Sequence, residues 1–197
     1  MQEAFGVPET GGADPDRRAA LDRFLGEVQV RAFRMAHFAT GDREEALDIV
    51  QDAMFALVRG YGGRPPAEWR PLFFRVLQNR IRDWHRRTAV RRRWRRWLHG
   101  PDREGEGAAA GDPLQEVADP GGRDPSDAAA DRAARDALER AIRELPLRQQ
   151  QAFLLRAWEG LGVAETAAAM GCSEGSVKTH YSRAVHALRR RLEAYRP

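Results

Sequence analysis

The stretch GCSEGSVKTHYSRAVHAL, residues 171–188, decides the fold of this chain. Its apolar residues Val177, Tyr181, Ala184, Val185 and Leu188 recur three or four apart, which puts them on one face of an amphipathic helix. Ser173, just ahead of that run, offers the hydroxyl that a helix N-cap uses. The other face is unusual for a solvated helix. Gly175, Lys178, Thr179, Ser182 and His186 are short polar groups with a single lysine, where Glu and Lys pairs are the norm. Upstream, small Ala167, Gly171 four residues later and Val177 six further on have the spacing of a helix-turn-helix: a close crossing, a turn and a buried anchor. A face of short donors and acceptors lets such a second helix approach the major groove and read base edges. An ordinary surface helix in an all-α bundle is the competing reading.

Working outward from that motif, helical periodicity begins at Asp131 with Ala134, Leu138, Ala141 and Leu145 on one face, and Pro146 stops it. A second helix carries Leu147, Gln151, Leu154, Leu155 and Trp158 and ends at Gly160. Residues 131–197 therefore read as one small helical domain. Before it the composition reverses: residues 100–127 hold eight acids against two arginines amid Gly, Pro and Ala. Almost nothing there can build a core, so residues 99–130 are expected to be a flexible acidic linker, a tether between halves that move independently.

The N-terminal half has its own signals. Residues 1–18, rich in Gly, Pro and Asp, are expected to be a disordered tail, and residues 19–98 a second helical domain. Phe24, Leu25, Val28, Phe33, Met35 and Ala36 indicate one or two helices before Gly41. Asp42 with Glu45 reads as a capping box that opens a helix through Ile49, Val50, Met54, Leu57 and Val58, ending before Gly60. The paired glycines and prolines of GYGGRPPAEW, residues 60–69, predict a loop. Over residues 70–87 an apolar stripe of Phe73, Val76, Leu77, Ile81 and Trp84 runs beside a polar stripe of Arg75, Asn79, Arg82 and Arg86. Residues 80–97 hold nine arginines against one acid, Asp83, with Trp84, Trp94 and Trp97 interleaved. Arginine neutralises phosphate and indole offers a stacking surface, a pairing that suits nucleic acid; Trp84, on the apolar stripe, reads as core.

The whole-chain numbers agree with that direction. Lys and Arg total 33 against 29 Asp and Glu, the pI is about 9.9, and Lys178 is the only lysine. One cysteine, Cys172, excludes an internal disulfide. The opening residues lack a basic n-region and an apolar h-region, and no run approaches the roughly 18 apolar residues of a membrane span, so a cytoplasmic protein without membrane insertion is expected. Catalysis is not expected. Glu44, Asp48 and Asp52, four apart, read as a solvated or partner-binding face. The histidines His37, His85, His99, His180 and His186 form no ligand-spaced pair, and no Gly-rich phosphate loop exists, so no cofactor or metal is predicted.

The string from Leu138 to Glu193 resembles region 4 of bacterial sigma factors of the small extracytoplasmic-function group, while GDREEALDIVQDAMFALV (residues 41–58) and PLFFRVLQNRIRDWHRR (residues 71–87) resemble their region 2. The resemblance implies an all-α chain of two small helical domains joined by a flexible acidic linker, the C-terminal one a helix-turn-helix. It implies a non-enzymatic protein that binds core RNA polymerase, through the β′ clamp helices and the β flap, and directs initiation at promoter DNA. By the same resemblance Asp48, Ile49, Val50, Gln51 and Asp52 match the helix that docks on the clamp helices. The loop from Tyr61 to Pro71, with Asn79, Arg80, Asp83, Arg86 and Arg87, matches the part that opens the minus-10 element and holds its non-template strand; Arg75 and Arg82 join these on the polar stripe. Glu174, Gly175, Lys178, Thr179, Ser182 and Arg183 match the helix that reads the minus-35 element. The linker, in this family, threads polymerase channels, and an anti-sigma factor is a further implied partner. Two positions depart from the pattern. Leu72 stands where the family has tryptophan, so either Trp69 supplies the ring from a shifted position or the loop differs, and Leu47 stands where an acid precedes Asp48. SEGSVKTH also resembles the output domain of response regulators, the alternative being a stand-alone helix-turn-helix regulator; that reading leaves residues 21–97 without a role.

Overall fold

The computed structural model describes residues 15–99 and 125–193, and among them every regular element is helical. The N-terminal half is α1 (Pro15–Thr40), α2 (Arg43–Tyr61) and α3 (Pro66–His99). The C-terminal half is α4 (Pro125–Arg143), α5 (Leu147–Phe153, prolonged by a π-helical turn over Leu154–Trp158), α6 (Val163–Met170) and α7 (Glu174–Arg191). The tail and linker expected for residues 1–14 and 100–124 lie outside the described residues.

Boundaries differ from the sequence reading where proline and glycine interrupt the helical pattern. Residues 15–18 already belong to α1, and Arg17 donates to the Gly63 carbonyl at 3.0 Å, which ties that first turn to the α2–α3 connection. α2 runs through Gly60 to Tyr61, and α3 opens at Pro66, so the expected loop shrinks to residues 62–65. Pro66 suits a first helical position because the N–H it lacks would have no partner there. α4 starts at Pro125, inside the expected linker; Ala141 and, just past its end, Leu145 are buried as read and are joined by Ala137 and Ile142, while Leu138 is exposed.

Other signals hold as read. Asp42 accepts from the Glu45 amide at 3.0 Å and caps α2, and Ser173 accepts from the Ser176 amide at 3.2 Å and caps α7. Gly171 sits at φ +62°, a left-handed conformation in which a side chain would be strained, and it turns α6 into α7. Ala167 and Val177 are buried on either side of that turn.

The two halves are packed on each other, where independent movement was expected. α3 lies against α6, and α1 against α4 and α5, so one buried cluster runs from Val28 and Phe73 through Leu155 and Met170. Polar contacts close the seam. Gln150 donates to the carbonyls of Phe38, at 3.2 Å, and Ile142, at 3.0 Å, while the Phe38 and Trp158 rings meet edge to face at 5.8 Å.

Candidate nucleic-acid interface

α7 is a helix with one committed face and one free face. Val177, Ala184 and Leu188 are buried, and Glu174, Gly175, Lys178, Thr179, Ser182 and Arg183 are all exposed. The structure thus brings the predicted recognition residues together on one solvent-facing surface. Gly175 has open space where a Cβ would stand apart from Ser173 Oγ at 3.9 Å, so the helix can approach a surface closely at its first turn. Thr179 donates its hydroxyl to the Gly175 carbonyl at 3.0 Å, which leaves it free to act as an acceptor. Lys178 and Arg183 have no ion-pair partner among the described residues.

α3 carries the second charged surface. Asn79, Arg82, Asp83 and Arg86 line one open pocket of about 430 Å³. Arg75, Arg86 and Arg87 are exposed, whereas Arg80 reaches 3.7 Å from Asp52 on α2 and Arg86 pairs with Asp83 at 2.9 Å. Arg82 stands apart. It hydrogen-bonds Asn79 Oδ1 and donates to the Met170 carbonyl at 3.0 Å, a carbonyl that Arg148 also reaches at 2.7 Å. Two guanidiniums thus converge on the C-terminal, negative end of α6. Burial, then the neighbouring charge of Arg148, holds the Arg82 guanidinium below its ordinary value.

The third predicted group divides. Asp48, Gln51 and Asp52 on α2 are exposed, but Ile49 and Val50 are buried, so they support the helix from within. Beside them a groove of about 480 Å³ opens between α1 and α2, walled by Val30, Phe33, Leu47, Gln51 and Met54. Leu47, Phe55 and Val58 are large apolar side chains left about half exposed along this helix. Val58, read on the apolar run of this helix, is thus a correction: with Leu47 and Phe55, eight and three residues apart, it lies on an exposed apolar strip. Trp69 is a correction. It is 1% exposed and packs on Phe24 at 6.0 Å, so its ring fills the core and is closed to any base.

Sequence reasoning also missed Glu159. This carboxylate is buried between halves: Oε2 accepts from Arg70 of α3 at 2.9 Å, and Oε1 lies 3.4 Å from Arg31 of α1 but has no hydrogen-bond partner. Burial pushes its carboxyl above the ordinary value, against the opposing pull of Arg31 and Arg70. Among the described residues no group of three or more His, Cys, Asp or Glu is placed to hold a metal, and no helix is long and apolar enough to cross a membrane.

Comparison with known proteins bears directly on these surfaces. Residues 135–188 match the family described as sigma-70, region 4, which takes in the second half of α4, α5, α6 and most of α7. The ECF RNA polymerase sigma factor BldN of Streptomyces coelicolor is 27% identical over 197 residues, 98% of this chain and 66% of its own. SigM of Mycobacterium tuberculosis, also an ECF RNA polymerase sigma factor, is 28% identical over 180 residues, 89% of this chain and 78% of its own. The RNA polymerase sigma-E factor of Streptomyces avermitilis is 30% identical over 174 residues, 88% of this chain and 86% of its own. Among solved structures, the sigma factor RpoE of Bartonella quintana, in complex with the anti-sigma factor NepR, shares the fold with a TM-score of 0.60 at 22% identity, over 93% of this chain and 100% of that one. A helix-turn-helix matched to region 4, an arginine-lined α3 and a relative similar along most of both chains converge on one conclusion: this chain belongs to the extracytoplasmic-function sigma factors of bacterial RNA polymerase.

Proposed function

We propose that this chain directs core RNA polymerase to promoters, with α7 reading the minus-35 element, the α3 face of Arg75, Asn79, Arg80, Arg82, Asp83, Arg86 and Arg87 holding the minus-10 non-template strand, and the α2 face docking on polymerase. The observation that carries this reading is the α7 surface: six candidate base- and phosphate-contacting residues exposed on one face, with the opposite face buried and the preceding turn fixed by Gly171. Phosphate contacts by arginine would position the chain, and the short groups of α7 would specify sequence. For docking on β′, Asp48, Gln51 and Asp52 supply the polar contacts and the groove beside Leu47 and Met54 supplies apolar area. The chain works as a non-enzymatic specificity subunit in the cytoplasm, where polymerase acts. By analogy with the RpoE complex, an anti-sigma factor is a further partner.

Run-off transcription with purified core polymerase on a library of genomic fragments tests the proposal. Discrete transcripts that need this chain, from start sites sharing spaced upstream elements, are expected. Unchanged polymerase output with and without the chain refutes it.

A further inference from the structure

The last buried ring of α3 is Trp84, yet the helix continues to His99. Residues 85–99 hold seven arginines and no acid. Like charges four apart on a helix repel, as at positions 87 and 91, so this extension favours an external counter-charge. Its described large apolar side chains are exposed as well. Val90, Trp94 and Trp97 follow one another at helical spacing and are 51%, 59% and 77% exposed, with the two indoles edge to face at 5.7 Å.

Angular position decides what such a surface fits. Steps of three and four residues lead from Asn79 through Asp83, Arg86 and Val90 to Trp94 and Trp97, so the indoles lie on the same face as the proposed minus-10 residues. Exposed Arg87, Arg91 and Arg93 stand at the edges of that face, beside the rings. A helix that lies on a membrane separates a wide apolar face from its cations, and this one mixes them. Guanidinium fits phosphate bidentately, and an indole stacks on any base. From Arg86 to Trp97 the helix advances about 16 Å, the length of about five stacked nucleotides at 3.4 Å each.

We propose that residues 87–97 form a second nucleic-acid site, in which Arg87, Arg91 and Arg93 hold the phosphates of a single strand and Trp94 and Trp97 stack on its bases. The proposal rests on the minus-10 reading of α3, because it extends the track of that strand past Arg87, the last residue the family resemblance assigns.

The test uses the full chain without polymerase, titrated into fluorescein-labelled oligothymidylate and into a duplex of equal length. Trp94→Ala with Trp97→Ala should weaken binding to the single strand at least tenfold, in keeping with the loss of two stacked bases, and change duplex binding far less. Arg91→Gln with Arg93→Gln should weaken both and reduce the salt slope on the single strand by about 1.4, or about 0.7 per phosphate contact. The urea unfolding midpoint of each variant should match the parent, because no core ring is touched. Single-strand affinity that survives loss of both indoles, equal losses on strand and duplex, or indole-dependent binding to phosphatidylserine vesicles in place of the strand would each overturn the proposal. A wrong sigma assignment is told apart by its own readout: the unsubstituted chain would then fail to support polymerase-dependent transcription whatever the oligonucleotide result.

Discussion

Two buried residues carry the clearest single-site consequences. Trp69 is buried in the N-terminal half against Phe24, whose ring also meets Phe73 edge to face, so Trp69→Ala should lower unfolding free energy by about 3–5 kcal/mol in urea denaturation, as large aromatic-to-alanine changes in cores do. A ring reserved for a promoter base would leave stability almost untouched. Glu159 has a different signature. Its carboxyl is raised above the ordinary 4.5 by burial, so the folded state holds the proton more tightly than the unfolded chain does. That contribution is fully present below pH 4.5 and lost as pH rises through the raised folded value. Relative to Glu159→Gln, which cannot ionise, the parent should therefore lose stability across that window and then level off. Parallel pH profiles, or a parent that gains on the variant as pH rises, would mean that Arg31 and Arg70 outweigh the burial.

At the scale of elements, α7 is where reading and structure agree most fully. Its buried and exposed faces, its Ser173 cap and the Gly171 turn were all legible, because each depends on local chemistry: periodicity, a hydroxyl at the N-cap and a residue free of Cβ at positive φ. Elements whose limits depend on distant partners were less legible. α3 begins four residues before the expected start because Trp69 finds a core only once α1 is folded against it, and α4 leaves Leu138 exposed although Ala141 and Ile142, one turn on along the same face, are buried. The candidate site divides the same way. The exposed residues of α7, the arginine stripe of α3 and the apolar run of α2 that buries Ile49 and Val50 could be read, whereas the capture of Glu159 by Arg31 and Arg70 arises from packing between helices far apart in sequence. For α7 itself, alanine at Lys178 or Arg183 should weaken promoter binding by the polymerase complex, with roughly 1–3 kcal/mol of lost discrimination at any base pair read directly. Band-shift titrations on promoters altered at each minus-35 position measure it, and an undiminished minus-35 preference would remove α7 from the recognition role.

For the whole molecule, the packed arrangement sets a geometric problem. A compact chain of this length has a radius of gyration of about 16 Å, while elements at minus 35 and minus 10 lie about 85 Å apart along a duplex with 3.4 Å per base pair. The two halves must therefore separate to engage both elements. Arg82 marks the same conflict locally, since its guanidinium is bound to the end of α6 in the packed form and cannot also hold a strand. Residues 100–124, fully extended, reach about 85 Å, enough to allow the separation. Separation breaks the shared core, so polymerase must supply the compensating contacts. The direct measurement is the fluorescence of 2-aminopurine placed in the minus-10 segment of a promoter. The chain alone should leave the signal at its duplex level, core polymerase with the chain should raise it as the strand unstacks, and Asp48→Ala with Gln51→Ala should abolish the rise while leaving the DNA-facing residues intact. A tight, specific complex formed by the chain alone, with no polymerase-dependent rise, would contradict the account.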